Sequence, residues 1–400
     1  MIKGSKIKIF FYENRSASFL RYPLWIAEKL KHKGHFQFIF TCNETIEEEH
    51  KIKLCEALID VQFHETKLPL VSTLKKLIKD CSPDLIIVFA HRIPDIALIT
   101  AAKILGVKTA YYQHGLYVPF MKRNLSLFFS NAYKTLKYLL LSFLLGRHLK
   151  IGYLGGFYAF FKLLIKGENI HRTSLPVSET TADLCLVYGE YWRKYHSSEY
   201  GYKLDNSVKI VGTPDLVDIN LLEDKDPLKK SNEICYVAQT LVEDGRLKRE
   251  NMKVFLRNLS EICRQKSIHL VIKLHPRSDR SLYVNLDCQK RLVEEFPDSP
   301  LYIGHYSSML IRGLNCTNKF LLYNFYGHSI PDYLKDMSSS IIEEDQLDVL
   351  SNALDILISL EPNKEEFNKK RTQLNHFFHA NSTDPFTRTS DEILKFLSKT

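Results

Sequence analysis

Short apolar runs and longer amphipathic stretches alternate along most of this 400-residue chain. Ile7–Tyr12, Phe36–Thr41, Leu58–Phe63, Leu85–Ala90 and Lys108–Tyr112 read as compact strands. Between them lie segments with apolar residues at helical spacing, such as Phe19–His32 and Ile96–Leu105, the latter closed by Gly106. This alternation predicts a parallel sheet covered by helices on both faces. It resumes at Ala182–Tyr188 and Val208–Val211, followed by the turn residues Gly212-Thr213-Pro214-Asp215. The charged stretch Glu223–Asn232 reads as a linker. A second run follows, with strands at Ile234–Gln239, His269–Leu274, Leu301–Gly304, Phe320–Tyr323 and Ser340–Ile342. Its helices fall at Lys248–Gln265, from Ser307, and near 345–359, 364–379 and 388–398. The predicted fold is α/β: a Rossmann-like domain over 1–222, a second over 233–380, and a last helix within 381–400. In such pairs a ligand lies in a cleft at the carboxyl ends of the strands.

One interval breaks the pattern. Residues 116–172 predict a basic, amphipathic helical insertion, and from Asp95 to Glu168 there is no acidic residue while ten Lys and Arg occur. The apolar clusters Tyr138–Leu145 and Tyr158–Ile165 are interleaved with Lys134, Lys137, Arg147, Lys150, Lys162 and Lys166. Such helices suit the interface of an anionic membrane, which repels acids. They equally suit a hairpin packed on its own domain.

Composition narrows the class. With 45% hydrophobic and 25% charged residues the chain is neither disordered nor a disulfide scaffold. The 55 Lys and Arg against 46 Asp and Glu leave a net charge of +9, which favours an anionic partner. Eight cysteines lie scattered with no CxxC pair, so they read as free thiols in a reducing compartment. The apolar run Ile9-Phe10-Phe11-Tyr12 is too short for a signal peptide, and nowhere do 18 apolar residues run together. The expectation is a cytoplasmic protein, peripheral on the inner face of the cell membrane.

Four clusters fall where strands end. Glu243-Asp244-Gly245 follows the strand from Ile234; adjacent acids can raise an apparent pKa toward that of a general base, or form a solvated turn. Lys273-Leu274-His275-Pro276-Arg277 ends the next strand, with a charge set suited to phosphate and a proline that fixes the exit turn. Gly304-His305-Tyr306-Ser307-Ser308 opens a helix, where serines cap the first turn or, with the free N–H groups, hold an anion. Tyr112-Gln113-His114-Gly115 places an imidazole at a strand tip, as a packing residue or as a base. Neither GxxxxGK[ST] nor GxGxxG occurs, which disfavours a P-loop NTPase and a dinucleotide enzyme.

The order acidic-acidic-Gly, His-Pro, Ser-Ser, carried here by Glu243-Asp244-Gly245, His275-Pro276 and Ser307-Ser308, resembles that of bacterial CMP-sialic-acid-dependent sialyltransferases of the GT-B class. The short interval between the first two motifs is most similar to glycosyltransferase family 52, the lipooligosaccharide sialyltransferases; polysialyltransferases have the same motifs further apart. The resemblance covers residues 230–330 by motif and the rest by architecture. It implies an inverting transfer of a sialic-acid-like sugar from a CMP donor to a glycan or glycolipid acceptor. Glu243 would be the base, with Asp244 its substitute, and His275 would assist CMP departure. Lys273, Pro276, Arg277, Ser307 and Ser308 would line the donor site. CMP leaves as a phosphate monoester, so no metal or other cofactor is implied. His114 stands outside that triplet and resembles the His-Gly of CDP-glycerol polyol-phosphate transferases, which makes it an alternative base. A CMP-Kdo transferase and a noncatalytic nucleotide-sugar-binding scaffold remain alternatives. A nucleic-acid partner has only net charge behind it and is not expected.

Overall fold

A computed structural model of the chain describes residues 6–116, 132–165, 180–205, 207–325, 330–343, 347–381 and 383–398. They form two compact units. The first runs from the N-terminus through His114, continues to Pro214 and includes the C-terminal helix; the second is built from Asp215 onward, up to that helix.

The first unit is a seven-stranded, wholly parallel sheet. Its strands are β1 (Ile7–Glu13), β2 (Phe36–Cys42), β3 (Val61–Glu65), β4 (Leu85–Val88), β5 (Lys108–Tyr112), β6 (Leu184–Val187) and β7 (Val208–Ile210), in the order 3-2-1-4-5-6-7. Ile9 to Tyr12 and all of β4 are buried, as expected of strands covered on both faces. The covering helices are α1 (Tyr22–Lys31), α2 (Glu48–Ala57), α3 (Val71–Cys81) and α4 (Ile93–Leu105). α4 is buried from Ile93 to Ala102 because helix α5 (Ala132–His148) lies on its far side. A helix so enclosed is apolar all round. α5 forms a hairpin with α6 (Gly152–Ile165), so the predicted insertion 116–172 is helical over most of its described part; 117–131 and 166–179 lie outside the described residues. Helix α7 (Glu190–Tyr200) follows β6.

The second unit repeats the plan with six parallel strands in the order 3-2-1-4-5-6. These are β8 (Glu233–Val237), β9 (His269–Lys273), β10 (Lys290–Val293), β11 (Tyr302–Gly304), β12 (Phe320–Tyr323) and β13 (Ser340–Ile342). β10 carries Lys290 and Arg291 and pairs only on one side, as an edge strand; its polar sequence hid it from the hydrophobic pattern. Helix α8 (Arg249–Gln265) buries Met252, Phe255, Leu256 and Leu259 on this sheet. Helices α9 (Asp332–Met337), α10 (Leu347–Ser359) and α11 (Lys364–Phe378) complete the unit.

The last helix, α12 (Pro385–Leu397), is capped by Asp384, whose carboxylate accepts from the Phe386 and Thr387 N–H groups. It packs on α1, where Trp25 meets Phe386 edge-on at 5.2 Å and Lys29 pairs with Asp384 at 3.0 Å. The chain therefore ends in the unit in which it began.

The stretch expected as a linker is instead held down. Arg371 of α11, only 1% exposed, donates to the carbonyls of Glu223 (2.7 Å) and Asn220 (2.6 Å). Asn368 accepts from the Lys225 N–H at 3.1 Å and donates to the Lys225 carbonyl. Arg371→Met keeps the apolar stem but leaves two part-buried carbonyls without their donor, which costs roughly 1–3 kcal/mol in total. Denaturant unfolding is expected to lose that amount; a loss below about 0.5 kcal/mol would mean the clamp is dispensable.

Candidate functional site

A 3-2-1-4 order makes the loops after the first and fourth strands leave in opposite directions, opening a crevice at their carboxyl ends. In the second unit that crevice lies between β8 and β11, and three of the four sequence clusters are placed around it. Gln239, just past β8, accepts the Tyr306 N–H at 2.8 Å and so ties the β8 and β11 exits together. Tyr306 in turn donates its hydroxyl to Asn324, past β12. The β9 exit joins through Arg277, which pairs with Asp244 at 2.9 Å and reaches Thr240 at 3.2 Å.

These contacts give the predicted residues different characters. Asp244 also accepts from the Thr240 hydroxyl at 2.8 Å. Burial opposes its ionisation, but the Arg277 and Thr240 hydrogen bonds prevail and hold its carboxyl below the usual range. The mutual repulsion expected to raise an acid here does not govern Asp244, which is a poor base. Glu243 is exposed and accepts the Asp279 N–H at 2.6 Å through Oε1. His275 is half-buried, and its Nδ1 accepts the Arg277 N–H at 3.1 Å. That bond assigns the proton to Nε2. Burial, then the charges of Arg277 and Lys273, lower its pKa, so it is a neutral N–H donor rather than a standing imidazolium. Pro276 is exposed beside it. Lys273 is buried and donates to the Leu274 carbonyl at 2.6 Å.

Ser307 caps a 3₁₀ helix over Ser308–Asn315 by accepting the Met309 N–H at 3.3 Å. This cap leaves the Ser308 N–H and hydroxyl at the helix start. Among the described residues Ser308's hydroxyl makes no hydrogen bond. His305, next to these serines, is structural: its Nδ1 meets the Tyr323 carbonyl at 2.7 Å and its Nε2 the Tyr236 hydroxyl at 2.9 Å. Burial holds its pKa down at about 4, so it stays neutral.

The first unit carries its own polar cluster at the corresponding place, between β1 and β4. Glu13, the last residue of β1 and 1% exposed, accepts from Arg92 at 3.0 Å; His114 Nδ1 lies 3.1 Å from its Oε1. Arg92 also grips Asp95, fully buried, through two bonds of 2.7 and 3.0 Å. Burial alone would raise the Glu13 pKa, yet Arg92 and His114 outweigh it and hold it at about 2. Glu13 is therefore an anion that fixes a proton on His114 Nδ1 and leaves Nε2 as the basic nitrogen. Tyr22 meets the imidazole edge-on at 5.0 Å, and the His114 side chain remains 38% exposed. Gly115 has φ +72°, a left-handed turn that releases the chain directly after the imidazole. Such a carboxylate–imidazole pair is a general-base arrangement.

Glu13, Arg92 and Asp95 were not legible as site residues from their neighbours, although one signal existed. Each is a charge at the end of an otherwise apolar element, and two of them flank the switch point. Among the described residues no group of His, Cys, Asp and Glu is placed to hold a metal ion.

No family model matches the chain, and no curated protein matches its sequence. Solved structures do match its shape. The calicheamicin glycosyltransferase CalG4 superposes with a TM-score of 0.58 at 12% identity, over 99% of this chain and 100% of that one. The fold is GT-B. Staphylococcus aureus MnaA, solved with UDP, matches at 0.51 and 13% identity over 98% and 96% of the two chains. The UDP-GlcNAc 2-epimerase of Methanocaldococcus jannaschii matches at 0.50 and 12% identity over 99% and 100%. At these identities the likeness establishes architecture, and transferases and epimerases share it.

Arg92→Met tests the first-unit cluster. It leaves two buried carboxylates without their cation, expected to cost about 3–5 kcal/mol near neutral pH. Burial without a counter-charge raises both carboxyl pKa values above their unfolded ones. The missing stability should therefore return as pH falls toward the ordinary carboxylate range near 4. Thermal melts of the variant across pH should show this recovery; a deficit equal at every pH would contradict it.

Proposed function

We propose that this protein is an inverting glycosyltransferase that moves a sialic-acid-like sugar from a CMP donor to a hydroxyl of a bacterial surface glycan, lipooligosaccharide or capsule. The observation that carries the reading is that the β8 exit is tied both to the β9 exit, through Asp244 and Arg277, and to the β11 exit, through Gln239 and Tyr306, at the second unit's switch point. There His275 Nε2–H, the Ser308 hydroxyl and the Ser308 N–H supply donors suited to a phosphate monoester. Hydrogen bonds from neutral groups and a helix start stabilise the charge that grows on CMP as the glycosidic bond breaks. CMP departs with one phosphate, so the reading needs no metal to clamp a pyrophosphate.

The acceptor hydroxyl attacks the anomeric carbon from the face opposite CMP and gives its proton to a base. Glu243 fills that role in this reading: it is exposed, and its Oε2 is left for a proton once Oε1 has taken the Asp279 N–H. Because the acceptor is carried on a lipid, the protein works peripherally at the inner face of the cell membrane.

One observation favours a second reading, polyol-phosphate transfer from a CDP donor. The Glu13–His114 pair is the better-built base of the two, with a fixed tautomer and a buried anion behind it. There the acceptor oxygen attacks the donor's outer phosphorus, and CMP again leaves.

A donor panel separates the readings. CMP-sialic acid, CMP-Kdo, CDP-glycerol and UDP-GlcNAc are each incubated with the protein and lipooligosaccharide, and released nucleotide is measured. Release from CMP-sialic acid is expected, falling roughly 10²–10⁴-fold in Glu243→Gln with CMP binding retained. His275→Ala together with Ser308→Ala should weaken CMP binding roughly tenfold or more. Turnover of CDP-glycerol alone, lost in His114→Ala and kept in Glu243→Gln, would replace the first reading by the second. Turnover of UDP-GlcNAc alone would reject a cytidine donor.

A further inference from the structure

The α5–α6 hairpin presents an apolar face that the fold does not use. On α6 the residues Leu154, Phe157, Tyr158, Phe161 and Ile165 recur at i, i+3, i+4, i+7 and i+11, one side of a helix. Leu154 is 80% exposed, Tyr158 68% and Ile165 75%. The opposite side carries the packing: Gly156, Ala159, Phe160 and Leu163 are buried. On α5 Tyr133, Leu136 and Leu140 form a similar exposed row, while Tyr138, Leu141 and Leu145 are buried. Isolated exposed apolar side chains are ordinary, but eight on two adjoining helices are not.

The platform beneath them is fixed. A Cβ on Gly156 would strike the Ser142 carbonyl, and one on Gly146 would strike the Gly152 carbonyl and Gly156, so the two helices touch backbone to backbone. Ser142 adds a hydroxyl bond to the Gly156 carbonyl at 2.9 Å. At the hairpin turn Phe143 stacks on Tyr153 at 4.8 Å, and Arg147 donates to the Tyr153 hydroxyl at 3.0 Å. Phe157 and Phe161 lie parallel, 5.9 Å apart, along the exposed row.

Charge selects the occupant. The two helices contain no Asp or Glu, and Lys137, Arg147 and Lys162 are distributed over them. A protein partner or a second copy of the chain would leave these cations to be paired by acids that the hairpin itself lacks. An anionic bilayer takes both features together, apolar side chains into the acyl boundary and cations against the headgroups. Neither helix is long and apolar enough to span. We infer that the α5–α6 hairpin is the surface by which the protein lies on an anionic membrane, with the α6 row Leu154, Phe157, Tyr158, Phe161 and Ile165 inserted. This deepens the peripheral location in the proposed function but rests on the hairpin alone, not on the donor.

The test is co-sedimentation of the full chain with vesicles of phosphatidylcholine containing phosphatidylglycerol, against vesicles of phosphatidylcholine alone. Binding is expected to the anionic vesicles, weakened at high salt as the Debye length shortens. Arg147→Gln with Lys162→Gln removes two cations and should lower the partition coefficient about 25-fold. Phe157→Ser with Phe161→Ser should abolish binding at unchanged circular dichroism, since both positions are exposed. Leu154→Trp should shift its emission to the blue on adding anionic vesicles. Equal binding to both vesicle types, no binding, or a dimer that Phe157→Ser with Phe161→Ser converts to monomer would each overturn the inference. CMP binding by calorimetry on the same variants should be unaffected, which keeps failure of this surface distinct from failure of the donor reading.

Discussion

Everything functional in this molecule follows from what a doubly covered parallel sheet allows. Its central strands are buried on both faces, so their interiors are almost wholly apolar, and an uncompensated charge there would cost several kcal/mol. Polar chemistry is pushed to the strand ends. The carboxyl ends are the favourable ones, because there the 3-2-1-4 order parts the loops and the following helices point N–H groups at the gap. Both units obey this. Glu13 closes β1 after four buried apolar residues, and Gln239 and Tyr306 stand two residues past β8 and β11.

The two crevices solve the same problem differently. In the first unit two buried carboxylates are balanced by Arg92 and completed by His114, giving an anion-backed imidazole. In the second unit the acids sit at the surface, Asp244 spent on Arg277 and Glu243 on the Asp279 backbone. The neutral donors of that unit are His275 Nε2–H past β9 and the Ser308 hydroxyl and N–H past β11. One crevice holds a carboxylate–imidazole pair, the other neutral hydrogen-bond donors. A fold shared by transferases and epimerases cannot say which reaction results; the residues at these ends carry that distinction.

Much of this was legible in the sequence. The alternation of apolar runs located most strands, because parallel strands announce themselves by continuous hydrophobicity. It missed β10, whose edge position lets Lys290 and Arg291 stand in a strand, and it placed β3 a few residues early. Glu223–Asn232 reads as a linker because it is charged, whereas a buried arginine 148 residues away in sequence pins its start, a partnership no local pattern records. Glu243, Asp244, His275, Ser307 and Ser308 were found because they interrupt apolar runs at predicted strand ends. Their unequal roles were not, since whether an acid is a base or a salt-bridge partner depends on Arg277 reaching back to it. Glu13 was passed over for the opposite reason: it closes a strand that looked complete without it.

The central claim is that the second unit's switch point binds the donor's phosphate, and a crystal structure with CMP bound addresses it without any knowledge of the acceptor. The account predicts the CMP phosphate within hydrogen-bond distance of His275 Nε2 and of the Ser308 hydroxyl and N–H. CMP bound instead at the Glu13–His114 crevice, or none bound at millimolar concentration, would contradict it.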